Sequence, residues 1–453
     1  KGEGEGKGTG EGTVGEEEGK GHHDGDGEPR LLKFVDELDL CRRSGTAVLG
    51  PELTQGDVAR ETVEPLVDRL LEGFNTCLIS YGRTGAGKHY SMFGRGGLVW
   101  RPGKTEMEEL KERRALVRRA ASEAMRCTVL GVLSLIVEYA VDDERGIIVR
   151  ALEQLFEGLA DDETQKTKQG SCSVTRRVEL GMVYVQRERV LDLLRYAPNA
   201  RDENNRYILS PPVRIREDHR GMYLNEVRGI PIASAKDGQR IVFNGLSRMH
   251  RDFLTFNSVA RGYHLYVIVT VSQKVTHPVG VGLKKHMNGK IGVPRGTDLH
   301  KRSVVTRSSM TLVELAGSER IRKPSYPLSE AQMISRSLSP LGNVVMALTT
   351  KRHVPYRDSQ ATRLLTHALG GNCITAIIAN VQDHARTPLA HPSSGVIEDT
   401  SSIRFVRRCA HIQNWPSVNQ KSSCQQEEDT HPDSKEQTVM EHSTEEKFYL
   451  CPI

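Results

Sequence analysis

Residues 82–89 read Gly82-Arg83-Thr84-Gly85-Ala86-Gly87-Lys88-His89, and no other stretch limits the possible folds as strongly. The spacing of glycines and lysine is that of a phosphate-binding loop, G-x-x-x-x-G-K-[ST]. In such a loop, small residues let backbone N–H groups curl around phosphates, and the lysine ammonium reaches the outer ones. The loop works between a strand and a helix N-terminus, which adds to the anion site. Thr76-Cys77-Leu78-Ile79-Ser80-Tyr81 is a short, mostly apolar run that reads as a buried strand. His89-Tyr90-Ser91-Met92-Phe93 reads as the helix start, interrupted early by Gly94 through Gly97. The competing reading is a glycine-rich turn with an incidental lysine. At the eighth position a Ser or Thr hydroxyl normally ligates Mg²⁺, and His89 has none. The window therefore implies nucleotide binding and puts hydrolysis in question.

The 453 residues allow one large α/β domain or two to three ordinary ones. A net charge of +5 suggests an acidic partner: nucleic acid, a membrane surface or an acidic protein polymer. The longest apolar run, 128–140, is too short to span a bilayer, and no signal peptide is visible, so no membrane role is expected. Eight cysteines are scattered without a C-x-x-C pair or metal spacing, which fits a reduced intracellular chain. The first residue, Lys1, is not methionine, which reads as a fragment or an incomplete gene product.

Residues 1–30 are glycine, glutamate and lysine almost throughout and are expected to be disordered, because they bury too little surface to offset ordering entropy. Residues 421–453 read as a second polar, disordered tail without heptads. Between them lies a folded region, 31–413, with two apparent insertions. One spans 95–145, where 107–123 is charge-rich and helical in pattern. The other spans 277–307, a long basic loop that is either solvated or a binding arm. It has no interleaved aromatics, so a nucleic-acid partner is not expected. Strand patterns fall at 178–185, 264–271, 311–315 and 375–379. Helical patterns fall at 58–71, 146–159, 235–246, 330–348 and 359–369. Strands alternating with helices around a phosphate loop imply an α/β sheet covered on both faces.

Several further segments, taken in order, resemble the kinesin motor domain. Gly73-Phe74-Asn75 followed by Tyr81 through Lys88 is similar to that family's nucleotide loop. Gly146-Ile147-Ile148-Val149-Arg150 resembles its G-I-I-P-R segment, and Leu315-Ala316-Gly317-Ser318-Glu319-Arg320 its second switch, D-L-A-G-S-E-R. Ser335-Arg336-Ser337-Leu338-Ser339-Pro340-Leu341-Gly342-Asn343-Val344 is similar to the helix that follows. Val354-Pro355-Tyr356-Arg357-Asp358-Ser359, Thr362-Arg363-Leu364-Leu365 and Leu369-Gly370-Gly371-Asn372 resemble V-P-Y-R-D-S-K-L-T-R-L-L-x-D-S-L-G-G-N. The stretch from Ile403-Arg404-Phe405 to Asn419 looks like the last helix and the neck linker of motors with an N-terminal head.

The resemblance implies a P-loop NTPase fold of kinesin type, with a mixed, mainly parallel β-sheet and helices on both faces. It implies ATP and Mg²⁺ as ligands and microtubules (tubulin) as the partner, with localisation to cytoplasm and cytoskeleton. ATP would be cradled by Gly82, Arg83, Thr84, Gly85, Ala86, Gly87, Lys88 and His89, with Asn257 from the first switch. Lys88, Gly317, Glu319 and Glu314 would carry the chemistry. The metal would lie near His89 and, through water, Glu314. Arg336, Tyr356, Arg357 and Arg363 would face tubulin, together with the strand-loop Arg216-Glu217-Asp218…Gly221…Tyr223. For Arg357 and Arg363, intramolecular pairing is the competing reading. Residues 414–420 would be the neck linker, which docks or frees itself with nucleotide state. No dimerisation segment is visible in this chain.

The departures from the family gather on catalysis. The first switch, N-x-x-S-S-R-S-H, stands here as Asn257-Ser258-Val259-Ala260-Arg261-Gly262-Tyr263-His264, so Gly262 takes the place of the arginine that would pair with Glu319. Glu314 replaces the aspartate of the second switch. Lys33-Phe34-Val35 is the nearest candidate for the adenine-packing first strand and lacks its Arg-Pro. The loop 321–329 is short, and Gln360 replaces a lysine. Two functions follow: a motor that couples ATP hydrolysis to movement along microtubules, or a catalytically impaired pseudo-motor kept as a microtubule-binding module.

Overall fold

The computed structural model describes residues 47–94, 144–168, 173–195, 212–218, 221–225, 227, 229–255, 262–279, 300–319, 328–382, 392–425 and 448–449. Thr54 opens α1 (Gln55–Thr62) with a capping box: Asp57 N–H donates to Thr54 Oγ1 at 3.2 Å, and Thr54 N–H donates to Asp57 Oδ2 at 3.0 Å. The pattern 58–71 reads as one helix but forms two. Pro65 has no N–H to continue the ladder, so α2 (Glu64–Leu71) restarts at Val63. β1 (Thr76–Tyr81) then runs through the glycine-rich loop into α3 (Lys88–Phe93). The remaining elements, in order, are α4 (Ile147–Lys168), β2 (Ser173–Gln186), β3 (Arg189–Asp192), β4 (Pro212–Asp218), β5 (Gly221–Asn225), β6 (Ile230–Pro231), α5 (Ala235–Thr255), β7 (His264–Val279), β8 (His300–Glu314), α6 (Leu328–Thr349), α7 (Gln360–Leu364), β9 (Ile374–Ala379), α8 (Pro392–Cys409), β10 (Gln420–Gln425) and β11 (Phe448–Tyr449).

The strands form one mixed sheet in the order β11-β5-β4-β3-β2-β7-β8-β1-β9, with β10 beside β8 and β6 beside β2. β1 is gripped in parallel by β8 and β9, with Leu78 opposite Leu312 on one side and Ala376 on the other. The expectation of a mainly parallel sheet needs correcting, because every other pairing among the described strands is antiparallel. The pairs β2/β3, β4/β5 and β7/β8 adjoin in sequence and fold back on each other without a crossover helix.

Alternation along the central strands divides the core. Leu78, Leu265, Val267 and Val269 face a layer built from α1 to α5. Cys77, Ile79, Tyr266 and Ile268 face the opposite layer, where α6 and α7 contribute Leu341, Val344 and Leu364. Both faces of the sheet are thus covered, as the alternation of strand and helix patterns implied.

Three other readings change. The stretch 277–307 is not a loop throughout: β7 runs to Val279 and β8 begins at His300, the two staying paired to their ends. Lys301, Arg302 and Arg307 sit on the paired arm of β8, where a polar sequence need not mean a loop. The helical pattern 359–369 shrinks to Gln360–Leu364, after which the Thr366 hydroxyl bonds back to the Arg363 carbonyl at 2.9 Å. The polar tail is structured at its start, because β10 pairs with Lys301–Thr306 of β8. Residues 1–30, Lys33-Phe34-Val35, the segment 107–123, Asn257 and residues 320–327 lie outside the described residues. No helix among the described residues is long and apolar enough to cross a membrane.

The segment between α8 and β10 lies along the sheet. Trp415 N–H donates to Gly371 O at 2.9 Å, Asn419 N–H to Gly73 O at 3.1 Å, and Arg307 N–H to Asn419 O at 3.0 Å. Asn414 anchors it: Oδ1 accepts from Gly370 N–H at 2.7 Å, and Nδ2 donates to the Ala368 and Cys373 carbonyls at 2.9 and 2.8 Å. Replacing Asn414 with alanine leaves Gly370 N–H without this acceptor and Cys373 O without this donor, while Ala368 O keeps the Thr375 hydroxyl at 2.7 Å, a loss of about 1–3 kcal/mol. Hydrogen exchange in 415–425 is therefore expected to accelerate in Asn414→Ala while β1 stays protected. Equal protection in both proteins would show that the anchor lies elsewhere.

Candidate nucleotide site

The site is built where β1 and β8 end side by side. Their ladder continues past both strands, with Leu315 N–H donating to Ser80 O and Ser318 N–H to Gly82 O, each at 3.1 Å. Residues 82–88 and 314–319 are therefore laid against each other by backbone alone. Gly82 is required at this crossing, because a Cβ there would stand 2.3 Å from the Asn380 carbonyl oxygen. Gly85 and Gly87 have φ of 84° and 98° and open space where a Cβ would be, which leaves the crest of the loop bare for a ligand's approach.

Lys88 is 7% exposed, and its Nζ donates to the Gly82 and Arg83 carbonyls at 2.8 and 2.9 Å. Burial pulls its pKa below the usual lysine value, while the charges of Glu314, Glu319 and Asp399 oppose that shift. Arg83 Nε donates to both carboxylate oxygens of the fully buried Asp399 on α8, at 3.1 and 3.2 Å, and its guanidinium also reaches Gln382. Ser318 Oγ and Ser402 Oγ are 3.0 Å apart, so α8 touches the phosphate loop and the 314–319 segment together.

Glu319 does not reach toward Gly262, which carries no side chain to pair with. It folds onto the phosphate loop: Thr84 N–H donates to Oε2 at 2.8 Å and Thr84 Oγ1 to Oε1 at 2.6 Å. The carboxylate lies so close to Gly317 that a Cβ there would meet it at 2.2 Å. A carboxylate thus takes donors of the kind a phosphate oxygen would use.

His89 and Glu314 pair with each other. Nδ1 lies 3.1 Å from Glu314 Oε2, and since a carboxylate only accepts, Nδ1 carries the proton. The ring packs on Phe93 at a centroid distance of 4.5 Å. Mg²⁺ prefers octahedral oxygen donors, and imidazole is a poor substitute. With no hydroxyl at position 89 and the Glu314 carboxylate engaged by the imidazole, this donor set does not fit Mg²⁺.

His264 is 1% exposed. Ala316 N–H donates to its Nδ1 at 3.2 Å, while Nε2 has no hydrogen-bond partner among the described residues. Burial, aided by the charge of Lys88, holds its pKa down at about 4. Tyr263 beside it has its phenol pKa raised, by burial first and then by Glu314.

The expected partner-facing residues gather on α6, α7, β4, β5 and the turn between α6 and α7. Arg357 pairs with Glu217 at 3.5 Å and stays 85% exposed. Arg363 is half-buried and donates to the Ile215 carbonyl of β4 at 3.0 Å. The Tyr356 hydroxyl donates inward to the Leu369 carbonyl. Arg336 lies on α6, outside the residues whose side chains are described. Sequence reading missed Asp399 and Thr84 as partners. Asp399 had a signal in Arg83, a cation placed where it needs a buried carboxylate, and Thr84 had none.

A parallel strand running through a glycine-rich loop into a helix, beside a switch-like segment on the neighbouring strand, defines a P-loop NTPase-type head. The kinesin motor domain model matches residues 45–412, and the chain belongs to that family. It is 30% identical over 387 residues to Kinesin-like protein KIN-5C of Arabidopsis thaliana, with 83% of this chain and 30% of that protein covered. It is 28% identical over 382 residues to Kinesin heavy chain of Botryotinia fuckeliana, with 83% and 33% covered. The chain thus spans about a third of those relatives' length. Among solved structures, a fast kinesin superposes with a TM-score of 0.54 at 25% identity, covering 86% of this chain and 84% of that one. A KIF14 dimer in complex with a microtubule gives 0.53 at 27% identity, covering 81% and 80%.

Removing the carboxylate that caps Thr84 is expected to strengthen nucleotide binding. Glu319→Ala should tighten a fluorescent ADP analogue about tenfold, the worth of one charge-assisted hydrogen bond. Weaker binding in the variant would contradict this arrangement. For His264 the folded-state pKa lies below the unfolded value, so the unfolded chain takes up the proton first on acidification. Its contribution is whole above about pH 6.5 and is lost toward pH 4, with about 2 kcal/mol gone at pH 5. Urea unfolding of His264→Asn, which keeps an acceptor for Ala316 N–H, should show a pH dependence shallower by that amount. An unchanged slope would refute it.

Proposed function

We propose that this chain is a kinesin-type head that binds ATP at residues 82–88 and microtubules at the face carrying Arg357, Arg336 and the β4–β5 hairpin. In this reading, nucleotide occupancy is relayed to the C-terminal segment 414–425. The observation that carries the proposal is the joint contact of α8 with Arg83 and Ser318, because α8 leads directly into the segment anchored by Asn414. A ligand that moves residues 82–88 or 314–319 strains both α8 contacts at once, which gives the relay a physical element to act on. The microtubule face is supported by family membership and by the microtubule in the KIF14 complex. The exposed Arg357 suits an acidic polymer surface.

A second reading concerns the chemical step and rests on specific contacts. With Glu319 on Thr84, Glu314 on His89 and no arginine at position 262, the groups that would hold a metal and align water are engaged elsewhere. Losing such groups costs orders of magnitude in phosphoryl transfer. The head is then a nucleotide-responsive microtubule binder with slow turnover.

Co-sedimentation with microtubules, with and without ATP, tests the first reading. ATP is expected to change the microtubule affinity of the chain about tenfold or more, and Lys88→Ala to abolish that response while still pelleting. Affinity indifferent to ATP in the unmodified chain would defeat the proposal. Phosphate release in the same samples tests the second reading. Release close to the Lys88→Ala background supports it, and release that microtubules raise well above that background overturns it.

A further inference from the structure

We propose that residues 82–89 take nucleoside phosphates as metal-free anions, and that the His89–Glu314 pair is the device that excludes Mg²⁺. The inference rests on the reading of residues 82–88 as a nucleotide site and specifies the chemical form of its ligand. In P-loop sites the metal is held by the hydroxyl at the position of His89 and by a carboxylate at the end of the neighbouring strand. Here both positions are filled and turned toward each other, with Nδ1 3.1 Å from Oε2.

Three features hold the pair closed. The Glu314 side chain is only 8% exposed, so its carboxylate offers a metal little open surface, and Oε2 already accepts from His89. The imidazole is also packed against the Phe93 ring, at a centroid distance of 4.5 Å. The next carboxylate along the segment, Glu319, is bound to Thr84 through both oxygens and is not at hand as a substitute ligand. Mg²⁺ sheds its water reluctantly and gains most from oxygen donors, so exchanging Glu314's hydrogen bond for a metal contact offers it little.

The charge that a metal would supply must then come from the chain. Lys88 sits under the loop with its ammonium on the Gly82 and Arg83 carbonyls, and the bare crest at Gly85 and Gly87 presents backbone toward solvent. A polyphosphate accepted on those terms carries its full negative charge into the site. Glu314, which would repel it, is held by His89.

The test is titration of the full chain and of His89→Thr with a fluorescent ADP analogue in EDTA, in Mg²⁺ and in Zn²⁺. Zn²⁺ is included because imidazole and carboxylate together suit it better than Mg²⁺. The unmodified chain is expected to bind with affinities that agree within about threefold in all three conditions. His89→Thr, which restores the hydroxyl and frees Glu314, is expected to gain about tenfold on adding Mg²⁺. Tenfold tightening of the unmodified chain by Mg²⁺ or Zn²⁺ overturns the proposal while leaving the nucleotide site intact. A Mg²⁺-indifferent His89→Thr overturns the role given to His89. Absence of binding in every condition and both proteins overturns the nucleotide site itself, and this inference with it.

Discussion

The parallel grip of β8 and β9 on β1 is the constraint from which the rest of the head follows. Parallel neighbours end on the same side, so the loop after β1 and the segment after β8 emerge together at one edge of the sheet. Backbone bonds carry this registration beyond the strand ends, through Leu315 on Ser80 and Ser318 on Gly82. Once that is fixed, Lys88, Glu314, Gly317 and Glu319 have little freedom to be anywhere but around one small volume. The apolar alternation of β1, with Leu78 to one layer and Cys77 and Ile79 to the other, is what makes the grip stable, since both faces of the strand are buried.

Within that volume the side chains satisfy one another. A first-switch arginine would hold Glu319 at a distance from the phosphate loop, but position 262 is a glycine and the carboxylate falls onto Thr84 instead. A hydroxyl at position 89 would leave Glu314 free, but an imidazole long enough to reach Oε2 binds it. Each departure removes one partner and redirects another; for the buried Glu314 a carboxylate left without a donor costs more than one that finds a substitute. Arg83 follows the same logic: its pairing with Asp399 ties the loop to α8 and, through α8, to the Asn414 anchor.

Much of this was legible in the sequence. The loop motif placed the site, short apolar runs located β1 and β9, and the family-like blocks located α6 and the stretch from 414 to 419. What the sequence could not show arises from contacts between distant residues. Thr84 and Glu319 are 235 residues apart, and nothing at either position signals the other. The arms 277–279 of β7 and 300–307 of β8 were read as loop because His277, Pro278, Lys301, Arg302 and Arg307 mask a strand pattern that pairing alone maintains. β10 escaped notice for the same reason: Gln420-Lys421-Ser422-Ser423-Cys424-Gln425 is polar, and it becomes a strand because β1 stops short of Lys301–Thr306 and leaves that edge of β8 open.

The central claim is that the metal position of this kinesin head is closed by an imidazole–carboxylate pair. Anomalous diffraction from crystals grown with a nucleotide analogue and Mn²⁺, which takes the same oxygen donors as Mg²⁺ and scatters anomalously, tests it directly. The account predicts nucleotide density over Gly85 and Gly87, His89 still within hydrogen-bond distance of Glu314, and no anomalous peak between them. A strong peak beside Glu314, with the imidazole swung away, would contradict it.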